Sequence, residues 1–262
     1  MPSVYAHHRF GTRLLPAFPT QVQKTVRRFS QLFEMGLYGP DIFYYASVFG
    51  GEEGAFLGIP YHEQTGKDFF RRVCKRLQQS PSEAAQAYLY GVLCHYCLDS
   101  ACHGYILESA AWGTLEHARI ETEFDRYLLE LDGKVPAHSQ DLSGSIRLSA
   151  GESATVALFY PAAKPRKIRQ CVRNMAAFHR RTATASGLGR KLLKMSLSLF
   201  GKGFPGLLMS ETADPSCVFT SEALMQLYQQ AEQKLPVLLE QLQAHMRSQA
   251  PLEEDFDPKF CD

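Results

Sequence analysis

Apolar residues recur at helical spacing along almost the whole chain of 262 residues, and no run of residues alternates as a strand does. Val22, Val26, Phe29 and Phe33 fall three or four positions apart, and Gly36 follows as the expected end of that helix. This periodicity predicts an all-α protein. Because no linker separates the two halves, we expect a single multi-helix domain over residues 1–262.

Start and stop signals predict the bounds of the other helices. Residues 80–83, Ser-Pro-Ser-Glu, indicate a capping box that opens a helix running to about His103, with Gly104 as its stop. The next helix is predicted from Thr114 to Leu131. Further helices are predicted at residues 42–48, 69–79, 150–160, 165–182, 187–200 and 220–248, the last bent at Pro236, with a surface loop at 134–150.

Composition and charge exclude several classes of protein. Hydrophobic residues make up 45% of the chain and charged residues 21%, which excludes a disordered chain and a collagen-like fibre. The net charge of +1 gives no overall field that attracts nucleic acid, so no specific nucleic-acid binding is expected. No feature of the sequence identifies a protein partner. The sequence shows no recognisable secretory signal and no apolar run long enough to span a membrane, so we expect a cytoplasmic protein. The number of cysteines, seven, is odd, and we expect their thiols to be reduced.

A stripe of potential metal ligands lies on one predicted helix. His95, Asp99 and His103 are spaced four residues apart and share one face, yet His95 and His103 lie roughly 12 Å apart along the axis. Because zinc–nitrogen bonds are only about 2 Å long, the stripe suits at least two metal ions, with Asp99 as a bridge. The next helix offers a second pair of this kind, His117 and Glu121.

Loops over this helical scaffold offer the remaining candidate ligands. Asp41 and His62 lie in the glycine-rich segment 36–66, and His7 and His8 lie in the N-terminal arm. Cys94 and Cys97 form a C-x-x-C without a second cysteine pair, which does not favour a zinc knuckle. Three histidines lack a ligand-spaced partner and are interpreted as surface or packing residues: His138, His179 and His245.

These motifs together resemble the zinc-dependent phospholipase C family, whose relatives include single-strand-specific zinc nucleases. The resemblance covers residues 1–130, the ligand-bearing part, and rests on Tyr-Ala-His at 5–7, Gly-Pro-Asp at 39–41, His62, the stripe from His95 to His103, and the pair His117 and Glu121. It implies an all-helical fold with two or three zinc ions in a cleft between helices. It also implies a zinc-dependent phosphodiesterase or phospholipase C-like hydrolase.

The resemblance also implies how the ligands divide. The first zinc would take Asp41, His62, His95 and Asp99, the second His103, His117 and Glu121, and the third His7 with a shared Asp99. In secreted members an exposed N-terminal tryptophan completes the third site. Here we expect removal of Met1 to expose Pro2, whose amine and carbonyl would take that place, and the match favours His7 over His8.

The implied reaction is attack on phosphorus by a metal-bound hydroxide, with Asp41 as both ligand and general base. The substrate would be a phosphoester, with a phospholipid headgroup suggested by the family, and Tyr38, Phe43 and Tyr44 are expected to line the cleft. Segment 187–201 is cationic and apolar. We interpret it as a core helix with lysines at its ends, and the alternative is a helix that contacts a membrane surface.

Other functions remain to be weighed against this hydrolase. The first is a non-catalytic metal-binding or membrane-peripheral protein that keeps the same fold. A helical HD-type phosphohydrolase requires an adjacent His-Asp doublet, which this sequence lacks. A carboxylate-bridged di-iron bundle uses Glu-x-x-His pairs, whereas the spacing here is His-x-x-x-Asp or His-x-x-x-Glu.

Overall fold

Residues 4–46, 55–112, 115–199 and 204–261 are described by a computed structural model. Over these ranges the chain is a single helical domain without β-strands, which confirms the predicted fold class; one isolated antiparallel bridge pairs Thr65 with Lys259. The α-helices are α1 (Val4–Leu14), α2 (Thr20–Arg28), α3 (Ser30–Leu37), α4 (Ala55–His62), α5 (Gly66–Gln79), α6 (Glu83–Trp112), α7 (His117–Leu131), α8 (Ala150–Ala157), α9 (Pro165–Thr184), α10 (Gly187–Ser198) and α11 (Val218–Ser248).

The helix predicted across residues 22–33 is in fact two helices. Phe29 leaves the helical conformation, with φ −125° and ψ 45°, and separates α2 from α3. Gly36 lies inside α3 and does not end it, so the predicted C-cap is wrong. Its role is close packing, because a Cβ on Gly36 would lie 2.9 Å from the Cα of Gly91 in α6. The two glycines allow α3 and α6 to cross with their backbones in contact.

The start of α6 differs from the prediction by two residues. Ser80 ends α5, and α6 begins at Glu83. The hydroxyl of Ser82 accepts a hydrogen bond from the Ala85 N–H at 3.2 Å. Ser82 is therefore the N-cap, and the capping box predicted on Ser80 is wrong because Pro81 and Ser82 precede the helix.

The far end of α6 also differs, because Gly104 does not stop it. The helix continues to Trp112, and its 30 residues span about 45 Å. An internal glycine costs only about 1 kcal/mol relative to alanine. The turn after Gly104 carries Ile106, which is buried in the core. Tertiary packing therefore outweighs the local signal, and the long α6 forms the centre of the fold, contacting α1, α3, α7 and α11.

The remaining helices agree with the predictions to within a few residues, with the following differences. Helix α1 was not predicted, because its residues were interpreted as a non-helical N-terminal arm. The predicted helix at 42–48 is a 3-10 helix over Gly39–Ala46, and its last two residues lie outside the described ranges. Helix α4 in the same connection was not predicted. Helix α7 begins at His117, because Glu116 is extended, and the predicted start at Thr114 lies outside the described residues. Helix α11 runs through Pro236 without interruption.

Two further observations complete the description of the fold. None of the seven cysteines forms a disulfide, and the six that are buried pack as small apolar groups. None of the helices in the described part of the chain is long and apolar enough to cross a membrane.

Candidate metal centre

Three groups of side chains bring imidazole and carboxylate atoms together. Within each group the ligand atoms all lie within 4.8 Å of one another. The groups are Asp41, His62 and His95 (group 1), His103, His117 and Glu121 (group 2), and His7, His95 and Asp99 (group 3). All these residues are buried except His117, which is half-buried. Every ligand candidate that the resemblance implied thus falls in one of the groups, and His95 belongs to two of them.

The helical stripe on α6 supplies three of these residues. Asp99 uses its two oxygens differently: Oδ1 lies 3.1 Å from His7 Nε2, and Oδ2 lies 3.1 Å from His95 Nε2. The rings of His7 and His95 stack with their centroids 4.4 Å apart. Asp99 therefore lies against both other members of group 3, and it adjoins group 1 through His95, which the two groups share. The described groups do not join Asp99 to His103, the position that helical spacing alone suggested.

Backbone carbonyls orient two of the imidazoles: His62 in group 1, and His95, which belongs to groups 1 and 3. His62 Nε2 lies 2.9 Å from Asp41 Oδ1, while its Nδ1 lies 2.9 Å from the Gly58 carbonyl. His95 is held in the same way, with Nδ1 3.1 Å from the Leu37 carbonyl. A carbonyl accepts a hydrogen bond only from a protonated nitrogen, so both rings carry Nδ1–H and present Nε2 to the site. Spacing in the sequence carries no signal for these carbonyl partners.

Gly39 is required by the position of His95. Its φ of +48° is in the left-handed region that favours glycine, and a Cβ at this position would lie 2.6 Å from His95 Cδ2. Gly39 begins the 3-10 helix that carries Asp41. A single glycine thus lets the segment bearing one ligand pack directly against the ring of another.

Helix α1 places His7, and two carboxylates of α7 hold α1. Arg9 forms a two-point ion pair with Asp132, with Nε and Nη2 at 2.7 and 3.0 Å from the two carboxylate oxygens. Asp125 accepts hydrogen bonds from the first backbone N–H groups of the helix. His8 lies elsewhere, in the wall of a cavity of about 160 Å³ that Lys134 also lines. His7, and not His8, therefore faces the metal ligands.

Asp125 was not predicted, although a signal was present. Asp125 follows Glu121 by four residues and His117 by eight, so it continues their face of α7. The C-terminal residues that pack behind groups 1 and 3 were not predicted either. The Cys261 thiol donates to the His62 carbonyl at 3.1 Å, and the ring of Phe260 lies 6.1 Å from that of His95. No periodicity links these distant residues to the site.

Electrostatics favour the metal-binding forms of the carboxylates and of His103. Burial raises the pKa of Asp41 and of Asp99, but nearby positive charges outweigh burial and hold the pKa of both carboxyls below the usual range; these charges include His62 and His95 for Asp41, and His95 and His7 for Asp99. The pKa of Glu121 is also lowered, with burial outweighed by charges that include His117. Burial lowers the pKa of His103 to about 4, so its imidazole is neutral at pH 7. Anionic carboxylates and neutral imidazoles are the metal-binding forms.

Several of these atoms fit a metal ion because they lack hydrogen bonds in the described structure. His7 Nδ1, His95 Nε2, Asp99 Oδ2 and His117 Nε2 are buried and make no hydrogen bond there, although His95 Nε2 and Asp99 Oδ2 lie close together. Buried polar atoms are rarely left without a partner. Imidazole nitrogen and carboxylate oxygen are zinc donors, so a zinc ion would satisfy these atoms.

The three aromatic residues expected to contact substrate lie in different surroundings. Tyr44 is half-buried beside group 1, with its ring centroid 5.3 Å from that of His62. Phe43 is completely buried against Tyr61 and Tyr160. Tyr38 is buried as well, with its hydroxyl bonded to Ser145. Among the three, Tyr44 is the one that borders the metal ligands, and substrate contact stays a prediction.

Comparison with known proteins gives one family. A family model described as "Zinc dependent phospholipase C" matches residues 6–180. The matched range contains all eight candidate ligands and extends beyond residue 130, where the recognised motifs end, into α9. No curated protein and no solved structure matches the chain.

Proposed function

Because the chain belongs to the zinc-dependent phospholipase C family, we propose that it hydrolyses phosphoester bonds with two or three zinc ions held by groups 1 to 3. One observation carries the proposal. Eight imidazole and carboxylate side chains from α1, α4, α6, α7 and the segment after α3 converge in three groups of mutually close ligand atoms. A cluster of this size needs positive charge to be stable when buried, and zinc supplies it.

The ligands can be divided by counting the nitrogens that are free to bind. His95 has its Nδ1 on the Leu37 carbonyl, so only Nε2 is left for metal, and it can serve one ion. If Nε2 belongs to group 1, the first zinc takes Asp41, His62, His95 and Asp99 Oδ2. The third ion is then left with His7 and Asp99 Oδ1. The remaining ligands proposed for it, from Pro2, lie outside the described residues.

Zinc, when bound, lowers the pKa of coordinated water and stabilises negative charge on phosphate oxygens. The chain supplies the proton acceptor. We assign that role to Asp41, whose buried carboxylate is ionised and can therefore accept a proton transiently from the attacking water at a carboxylate oxygen. Tyr44, beside His62, is the proposed substrate contact.

The substrate class follows from the family and from the charge of the chain. The family name indicates a phospholipid headgroup, a phosphodiester that the protein would meet at a membrane surface. A net charge of +1 gives the chain no overall positive field that would attract polyanions in general. Recognition of phosphate is therefore assigned to the metal centre.

Metal analysis of protein purified without chelator is the first test. We expect two or three zinc ions per chain, and hydrolysis of bis-p-nitrophenyl phosphate and phosphatidylcholine that is lost with chelator and restored by zinc. Asp41→Asn should abolish both activities, whereas His138→Gln, outside the three groups, should retain them. Zinc-loaded protein that is inert on both substrates would instead support the non-catalytic metal-binding protein, and protein that takes up no zinc would overturn the proposal.

A further inference from the structure

Helix α10 presents an apolar stripe to solvent. Leu188, Leu192, Met195 and Leu199 have 73%, 54%, 65% and 85% of their surface exposed. They are spaced by four, three and four residues, so they share a sector of roughly 60° and a length of roughly 16 Å on the helix. A contiguous apolar stripe of this kind on an exposed helix indicates an interaction surface.

The fold uses the opposite face of the same helix. Arg190 and Leu197 are buried and Leu193 is half-buried. The guanidinium of Arg190 donates to the carbonyls of Thr182 and Met209, which fixes α10 to the end of α9 and to the segment before α11. The interpretation of this segment as a core helix therefore holds for the inner face alone, and each residue of the outer stripe is more than half exposed in the described structure.

The charges on α10 itself are cationic. Lys191 and Lys194 are exposed on α10, and the helix contains no acidic residue. Both lysines lie on the same side of the stripe, roughly 70° and 130° around the helix from its centre. An apolar stripe with lysines along one side complements an anionic lipid surface, because apolar side chains enter the boundary between headgroups and acyl chains while lysines reach the phosphates. Each lysine near an anionic membrane surface strengthens binding several-fold.

The stripe is close to the exposed end of group 2. The 3-10 turn Phe204–Leu207 contacts both α10 and α7, and α7 begins at His117. Lys194 of α10 and Glu116, the residue before His117, line one cavity of about 390 Å³. The side chain of His117 is 28% exposed, whereas that of its partner Glu121 is 4% exposed. A surface that covers α10 would thus lie beside the more open end of the metal centre.

We propose that the outer face of α10 docks the protein on an anionic lipid bilayer. The inference rests on the proposed function, since a bilayer is the surface that would present phospholipid headgroups to the zinc ions. A second copy of the chain fits this face less well. Two stripes packed together would bring lysines against lysines, and a single stripe of this width provides far less than the ~1,200 Å² of a stable interface.

Vesicle sedimentation with full-length, zinc-loaded protein tests the proposal directly. We expect binding to phosphatidylcholine vesicles that contain phosphatidylserine, weaker binding to pure phosphatidylcholine, and release by high salt. The double variant Leu192→Gln/Met195→Gln should bind at least tenfold more weakly. Its matched control is Leu131→Gln/Val237→Gln, which changes two exposed apolar residues away from α10 and should bind like the wild type.

Two double variants that each remove two lysines test whether the charges of α10 contribute to vesicle binding. Lys191→Gln/Lys194→Gln should weaken binding to anionic vesicles roughly thirty-fold, whereas Lys24→Gln/Lys75→Gln, with the same change in net charge, should have little effect. All substituted residues are exposed, and circular dichroism checks that each variant is folded. Equal binding by the α10 variants and their controls would overturn the proposal.

Two further measurements separate the competing outcomes. Sedimentation equilibrium without lipid should give a monomer, and a dimer that the α10 variants dissociate would overturn the proposal in favour of self-association. Hydrolysis of soluble bis-p-nitrophenyl phosphate should be unchanged in the α10 variants. Vesicle binding through α10 without any phosphoester hydrolysis would support the docking surface and refute the proposed hydrolase. Hydrolysis without vesicle binding would support the hydrolase and refute the docking surface.

Discussion

The carboxylate of Asp125, on α7, accepts a hydrogen bond from the backbone N–H of Tyr5 at 2.9 Å. A second bond, from the Ala6 N–H at 2.8 Å, binds the other oxygen. The first N–H groups of a helix have no partner within the helix and carry partial positive charge, so a carboxylate is a suitable cap. Here the cap comes from another helix. Asp125 therefore fixes the start of α1, and with it His7, relative to the ligands on α7.

We expect Asp125→Asn to loosen α1 and to weaken zinc binding by group 3. An amide offers one acceptor oxygen where two N–H groups need acceptors, and its NH₂ would face a donor. Loss of a buried charge-assisted hydrogen bond costs about 2 kcal/mol of unfolding free energy. Zinc content measured after dialysis against a weak chelator should fall, with groups 1 and 2 retaining their metal.

The control for this variant is Asp141→Asn. Asp141 caps the short 142–145 turn through the Ser143 N–H and is exposed, and asparagine is an equally good cap there. This control should leave stability and zinc content unchanged. A Asp125→Asn protein with wild-type stability and full zinc would refute the positioning role.

Asp99→Asn should remove zinc from groups 1 and 3 together, because we propose Asp99 as a ligand of both ions. Asp99 belongs to group 3, and its Oδ2 lies 3.1 Å from Nε2 of His95, the residue that groups 1 and 3 share. Activity on bis-p-nitrophenyl phosphate should fall by at least a hundredfold, in proportion to the loss of zinc measured by mass spectrometry. Glu121→Gln is the comparison, because it belongs to group 2 alone and should leave the other ions bound. Full zinc occupancy in Asp99→Asn would contradict the bridge.

The grouping of the candidate ligands could be predicted in part from the sequence because most of them obey a local rule. His95, Asp99 and His103 share a face in any helix, and His117 and Glu121 share another, so their grouping needs only the correct secondary structure. Helical spacing also placed Asp99 midway between His95 and His103. In the structure Asp99 lies against His95 and against His7, about ninety residues earlier in the chain, and helical spacing contains no signal for that second neighbour.

The helix ends and supporting contacts could not be predicted because they depend on tertiary packing. Gly36 and Gly104 look like helix stops, yet one allows a close crossing with Gly91 and the other lies in a turn held by the buried Ile106. The carbonyl of Leu37 orients His95 through a backbone atom, which every residue type possesses. Residue identity therefore predicts the ligands far better than it predicts what holds them.

Gly39→Ala should displace His95 as well as strain the backbone. Its φ is +48°, and the added methyl group would lie 2.6 Å from the His95 ring. Gly187→Ala is the matched control, with φ +50° and no atom within 4 Å of the added group. Both variants should lose about 1 kcal/mol from the left-handed conformation. Gly39→Ala alone should lose zinc from group 1, and equal zinc content in the two variants would refute the steric account.

The unfolding free energy should fall as the pH decreases from 6.5 to about 4, in part because of His179. Burial lowers the pKa of this histidine from 6.5 to about 4, and its Nε2 lies 2.9 Å from the Tyr45 hydroxyl. Between those values the unfolded chain binds a proton that the folded chain does not, so acidification favours unfolding. The contribution is at most about 3 kcal/mol, complete above pH 6.5 and absent below pH 4.

Urea unfolding of metal-free protein at a series of pH values measures this effect, with His179→Gln as the reference. Glutamine can still bond to Tyr45 but does not titrate, so the stability of the wild type minus that of the variant isolates His179 from the zinc ligands and carboxylates that also titrate. That difference should decrease steadily from pH 6.5 to 4 and be constant outside this window. A difference that does not change with pH would show that His179 is protonated equally easily in the folded and unfolded chains.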